Sequence, residues 1–370
     1  MINVDLISKV ITADQKVFMV RPGSHYKLYN LFLESEAIIV DFLGLELTNG
    51  TPFEEQENMI AQLHRARKLR AYHRLPDEVA PPREIEPYLE YENDRSIAQL
   101  YRIMKGYFQE AKKGDLVVVP SRTFGSDALI GELTTEPEQL FATRLPALYG
   151  NEQLFGRKVR WIGRIRKGKM SPYMLDLFSK PNAFVLVPKA ERLAIYREAY
   201  GSYILPNEFR ASFNTNDAEF TTTDDLYIQS FFNFVAANSR RIGNGDELIG
   251  IKAAAFEKLG EYRLELQSNI NSPGFLNLIS TKASPLVAQA LLLLALSVGP
   301  EAVAAAETGT LFIGNSLDPD GDCTVAVREE VYEHLKLLGV NKWSEACDII
   351  RDAADSTGLS SQGKIVIDED

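Results

Sequence analysis

Cysteine is nearly absent from this chain of 370 residues, with only Cys323 and Cys347 present. Two thiols are too few for a disulfide framework or a cysteine-based zinc site. The histidines are equally sparse: His25, His64, His73 and His334 are scattered and form no metal-ligand cluster. No metal or cofactor is therefore expected, and a reducing, cytoplasmic setting fits. Residues 1–10 do not join a basic start to an apolar run and a small-residue cleavage site, so no secretory leader is read there. No apolar run reaches the roughly 20 residues of a spanning helix. The longest, PLVAQALLLLALSVG at 285–299, contains Gln289 and is closed by Pro300. It reads as a buried core helix, with a membrane-inserting effector as the alternative. Neither a Gly-x-Ser-x-Gly elbow nor a phosphate-binding glycine loop occurs.

What the chain does have is an ordinary globular composition, 45% hydrophobic and 25% charged, at a length that exceeds a single core. Two domains are expected. Charge divides them. Residues 205–370 hold 25 Asp and Glu against 12 Lys and Arg, net −13, whereas the remainder holds 26 against 28, net +2. Acidity in the second half repels nucleic acid there and leaves the first half free to bind it.

Short β-branched runs bounded by Gly, Pro or Ser predict strands at 16–20, 37–42, 116–120, 128–133, 158–165 and 183–187. Between them, helical spacing appears at 53–74 and at 96–112, the latter ending in Lys112-Lys113-Gly114. After about residue 191 the texture becomes helical: 224–238, 250–266, 274–280, 285–306, 325–338 and 344–354. The polar, acidic end, 356–370, is expected to be partly disordered.

One ordered series in the first half is informative. A strand ends in Val20-Arg21-Pro22-Gly23, followed by an apolar strand at 37–42 and a helix entering Gly114-Asp115-Leu116-Val117-Val118-Val119-Pro120. Leu129-Ile130-Gly131-Glu132 and Val159-Arg160-Trp161 come next. The series resembles the PUA-like superfamily that includes EVE and YTH domains, and more closely the N-terminal domain found ahead of Mrr-type restriction nucleases. The likeness covers residues 14–190. It departs at Asp41-Phe42, where the family has Gly-Trp, and in the longer segment 45–95. The expected fold class is α+β: a PUA-like small β-barrel with flanking helices at 1–200, with 45–95 inserted, then an all-α domain at 205–355 and an acidic tail.

The resemblance implies a non-catalytic sensor that binds one modified or unusual base flipped out of a nucleic acid, in a bacterial restriction or anti-phage setting. An extruded base needs rings to stack on, hydrogen bonds to its edge and cations for the flanking phosphates. Phe42, Phe124 and Trp161 are the aromatic candidates, although for Phe42 and Trp161 core is the favoured reading. Arg21, Ser24, His25, Asp41 and Ser121 offer polar contacts. On a regular strand Lys158, Arg160, Arg164 and Arg166 share one face, opposite Val159, Trp161, Gly163 and Ile165, as phosphate contacts or as a solvated face. Arg65, Arg67, Lys68, Arg70 and Arg74 make a second basic run, read as solvated.

The acidic half is expected to contact a partner or form an oligomer. Asp318, Asp320, Asp322 and Glu329 follow the acid spacing of an EF-hand, but Cys323 stands where that loop needs glycine, so a tight polar turn is read. Gln362-Gly363-Lys364 matches only the letters of a nuclease metal motif, leaving a metal-dependent or degenerate nuclease as a second alternative.

Overall fold

A computed structural model describes residues 1–48, 56–75, 79–91, 94–123, 125–180, 182–216, 220–269, 273–318 and 321–367. The chain forms two compact units, Asp14–Tyr200 and Met1–Ala13 with Gly201–Asp370. Residues 1–13 thus leave the domain to which the sequence assigned them. Their strands β1 (Ile2–Asp5) and β2 (Lys9–Val10) hydrogen-bond in parallel to Leu311–Gly314 and to Tyr203–Leu205. The protein is α+β.

In Asp14–Tyr200, β3 (Val17–Val20) leads through α1 (Tyr29–Glu34) to β4 (Ala37–Ile39). Three helices follow: α2 (Gln56–Arg74), α3 (Glu86–Leu89) and α4 (Arg95–Lys105). Then come β5 (Leu116–Val119), β6 (Ala128–Leu133), β7 (Phe141–Arg144), α5 (Pro146–Tyr149) and β8 (Gln153–Ile165). The unit closes with α6 (Pro172–Ser179), β9 (Phe184–Leu186) and α7 (Lys189–Ala199). Its sheet runs β4-β8-β6-β5-β3-β9, with β7 also on β8, and curls into a half-barrel. Among the described residues of this sheet, only β3 and β5 pair in parallel.

Local chemistry fixes these elements. All four β5 residues, LVVV, are buried, as befits a central strand without polar alternation. Asp115 ties the entries of β3 and β5 together, its carboxylate accepting from the amides of Lys16 (2.7 Å) and Lys112 (2.8 Å). Burial nonetheless pushes that carboxyl above its ordinary pKa. Asp94 caps α4 by accepting from the Ile97 amide. That helix continues into a π turn at Gly106–Glu110, where the Phe184 ring lies 2.6 Å from any Cβ at position 106. Phe184 packs with Phe18 and Tyr107 at centroid distances of 4.7 and 4.4 Å, filling that end of the half-barrel with the protein's own rings.

The acidic unit is not all-α. It contains β10 (Tyr203–Leu205), β11 (Glu208–Thr215), α8 (Thr222–Asn244), α9 (Ile251–Ala254), β12 (Glu265–Asn269) and β13 (Gly274–Ser280). After these come α10 (Ser284–Ser297), α11 (Glu301–Thr308), β14 (Leu311–Gly314), α12 (Asp322–Thr357), β15 (Ser360–Ser361) and β16 (Lys364–Ile367). One sheet runs β14-β1-β16, the other β12-β13-β11-β10-β2 with β15 on β11. The leucines of 274–280 read as helix formers, but the segment lies between β11 and β12, where pairing on both edges overrides propensity. Residues 364–367 of the expected tail pair with β1. Gly339, at φ 65°, breaks α12 in two.

Most of the apolar stretch 285–299 lies in α10, which packs against α8, α12, β11 and β13 of the same unit, with Leu286, Leu291, Leu292 and Leu294 fully buried. Among the described residues no helix is long and apolar enough to cross a membrane; α10 and α11 meet that measure only together, bent by 117°.

Candidate nucleic-acid interface

Strand β8 carries the site, and an irregularity in it decides which side chains meet. The register sets Arg160 opposite Glu132, Trp161 opposite Gly131, Gly163 opposite Ile130 and Arg164 opposite Leu129. Ile162 is therefore an extra residue, a β-bulge. Directly opposed residues share a face. Trp161 and Arg164 consequently fall on the face of Leu129, Leu133 and Val159, which are core residues, while Arg160 and Ile165 fall on the other. This corrects the sequence expectation of one basic face. Strict alternation put Arg164 with Arg160; the bulge turns it to the tryptophan.

The Trp161 ring lies against position 131, where a Cβ would stand 2.9 Å from its Cε3 and 2.4 Å from Val159, so only glycine admits it. The residue is partly buried and packs on the core, and its Nε1 is shielded without a hydrogen-bond partner among the described residues. Tyr29, at the start of α1, packs on the same core. Burial raises its phenol pKa, and the Arg164 charge acts against that rise. The exposed guanidinium of Arg164 thus shares a strand face with the partly buried ring of Trp161.

The remaining basic residues of β8 are occupied. Arg157 is fully buried: Nη1 donates to the carbonyls of Tyr107 (3.0 Å) and Ala111 (2.9 Å), and Nη2 to that of Thr135. Desolvation pushes its pKa down to about 10. Lys158 donates to Ser35 O (2.7 Å) and lies over the Phe141 ring. Arg160 pairs with Glu132 (2.8 Å). Lys169 pairs with Glu198 (2.7 Å). Arg164 and Arg166 are exposed and have no ion pair among the described residues.

A second group forms where the loop after β3 meets α2 and α5. Asp41, 8% exposed, takes Lys27 Nζ at 2.9 Å and Arg70 Nη2 at 3.0 Å on Oδ2, and the Tyr149 hydroxyl at 2.5 Å on Oδ1. Lys27 also donates to Tyr149. Arg74 donates to Ser24 Oγ at 2.8 Å. Burial drives the Lys27 ammonium below its ordinary pKa against the pull of Asp41, and Arg70 and Arg74 push in the same direction as burial. Burial and the bond to Asp41 raise the Tyr149 phenol. The loop itself is strained, with His25 at φ 56° and Tyr26 at φ 59°.

Several sequence candidates are placed elsewhere. Phe42 is 5% exposed within the core and offers no face to a ligand. Ser121 closes its own loop, its hydroxyl 2.7 Å from Ser126 O. Arg21 reaches the carbonyls of Phe178 and, at 2.6 Å, Lys180, bracing the end of α6. Phe124 lies outside the described residues. Arg70 and Arg74, read as solvated, instead hold Asp41 and Ser24. Lys27, Tyr29 and Tyr149 were not foreseen; Tyr149 and Asp41 are 108 positions apart, and no spacing rule joins them.

A cleft of about 450 Å³ lies between the end of β8, α6 and α7, lined by Ile165, Met170, Ser171, Met174 and Glu191. It contains none of the expected base contacts, and Ser171 Oγ donates to Glu191 within it at 2.5 Å. In the acidic unit, Lys364 stands opposite Asp5, whose Oδ1 accepts from the amides of Ile7 and Ser316. At the EF-hand-like turn, Asp318 O accepts from Thr324 Oγ1; Pro319 and Asp320 lie outside the described residues. Among the described residues no three His, Cys, Asp or Glu side chains group to hold a metal ion.

No family model, curated protein or solved structure matches this chain.

Proposed function

We propose that Asp14–Tyr200 is a PUA-like reader that binds nucleic acid through one modified or otherwise unusual base turned out of its strand. One observation carries the reading: the bulge at Ile162 brings Arg164 onto the face of Trp161. Rings supply sequence-tolerant stacking, and a cation at their edge serves the carbonyls of a base or its phosphate. The order of elements supports the same reading, since β3, β4, α4, β5, β6 and β8 follow the series of the resembled family. Site contacts are assigned to Trp161, Tyr29, Arg164, Arg166, Ser24 and His25. Phe42, Ser121 and Arg21 are withdrawn. The acidic unit, net −13 over residues 205–370, repels nucleic acid and is assigned to a partner or to a second copy. A restriction or anti-phage setting rests on the resemblance alone.

The test is a binding comparison between cytosine-modified phage DNA and the same sequence unmodified. Modified DNA should bind at lower protein concentration, and Trp161→Leu should remove the difference with the fold kept, as circular dichroism would verify. Equal affinity of the unaltered protein for both DNAs would sink the reader.

A further inference from the structure

Lys27, Arg70 and Arg74 present three positive charges against the single carboxylate of Asp41, and Asp41, Arg70 and Arg74 are the charged groups that act on Lys27. One ion pair would satisfy an aspartate. This one takes two cations and a phenol, and among the described residues Arg74 has only the Ser24 hydroxyl. Arg70 Nε is buried with no acceptor among the described residues, so the guanidinium has donor capacity that these residues do not use. The strained loop bearing Ser24 and His25 borders the group, and Tyr29 follows it by two residues beyond Lys27.

We infer that Arg74, Arg70 and Lys27, with Ser24, form a phosphate subsite contributed by the inserted helix α2, which grips a backbone phosphodiester of the strand whose base is read. The inference rests on the reader function. It adds a contact that carries no base information, because a phosphate is the same beside every base. Asp41 keeps the cations in place without neutralising them, a surplus suited to a diffuse monoanion rather than to a buried carboxylate.

The probe is a short fluorescein-labelled single-stranded oligodeoxynucleotide, titrated into the full chain by anisotropy at several salt concentrations. Arg74→Gln should weaken binding about tenfold at low salt and flatten the salt slope by about one charge, equally for modified and unmodified oligonucleotides. Ser24→Ala should give a smaller loss in the same direction, and Arg74→Lys should restore the slope. An unchanged slope in Arg74→Gln overturns the subsite and leaves the reader standing. A loss of slope in a protein indifferent to base modification keeps the subsite and removes the reader. Inorganic phosphate provides the other arm: if it saturates the protein and the oligonucleotide does not compete, the group takes free phosphate and the inference is overturned. Because Arg74 is exposed, an unshifted melting transition separates lost binding from lost folding.

Discussion

The core of Asp14–Tyr200 encloses an arginine, whereas that of the acidic unit encloses a helix of leucines. Arg157 is 0% exposed and has no carboxylate partner among the described residues; backbone carbonyls at the end of the α4 π turn and at Thr135 hold it. In α10 the main polar intrusion is Gln289, whose amide donates to Leu6 O at 2.8 Å. The surfaces differ in the same sense. The first unit gathers cations around a single buried aspartate, and the second leaves Glu247, Glu261 and Glu345 exposed against isolated lysines. A polar group costs least to bury where rigid acceptors already wait for it. The first unit therefore carries fixed, oriented charges of the kind a ligand can exploit, while the second gains its stability from apolar packing.

This contrast is measurable because each unit holds one tryptophan, Trp161 in the first and Trp343 in the second. The largest effect is expected from Arg157→Leu. It strips donors from the buried carbonyls of Tyr107 and Ala111 and from the part-buried one of Thr135, and at roughly 1–3 kcal/mol for each unsatisfied group, tempered by relaxation, the loss should be about 4 kcal/mol. Denaturant unfolding followed by Trp161 fluorescence in a Trp343→Phe background would register it. A shift below about 1 kcal/mol would mean that the arginine is replaceable by apolar volume and that the two cores do not differ in kind.

The converse substitution is Leu291→Ala in α10, where the side chain is fully buried by the unit's own helices. Cavity formation should cost about 3 kcal/mol. In a Trp161→Phe background the Trp343 transition should move by that amount, while in the complementary background the Trp161 transition stays in place. Movement of both would show that the units unfold as one.

The α+β class was legible, and for a plain reason: β3, β5 and β6 are short apolar runs between turn residues, and α4 ends in Lys112-Lys113-Gly114. Local grammar suffices for such elements. It fails at 274–280, where leucines score as helix and only the flanking strands make the segment β13. At the site the failure is sharper. Period-2 reasoning gives each β8 residue a face, and one inserted residue at Ile162 reverses every assignment beyond it. No composition signal marks that position, because a bulge is a property of the pair of strands. The Asp41 group is equally invisible, since it joins a loop, a strand end and two helices drawn from positions 24 to 149.

The smallest effect tests the surface contrast. Arg164→Gln with Arg166→Gln removes two exposed cations that have no ion pair among the described residues. The salt dependence of non-specific DNA binding should flatten by up to about two charges, a few-fold in affinity at moderate salt. Lys252→Gln with Lys282→Gln removes the same formal charge from the acidic unit. There each lysine already sits against a carboxylate, Glu345 at 2.7 Å and Glu261 at 3.1 Å, and neither can release a counterion from DNA. The slope of that second variant should match the unaltered protein. If both pairs flatten it alike, binding follows net charge alone, and the distinction between a cationic reading unit and an acidic partner unit is lost.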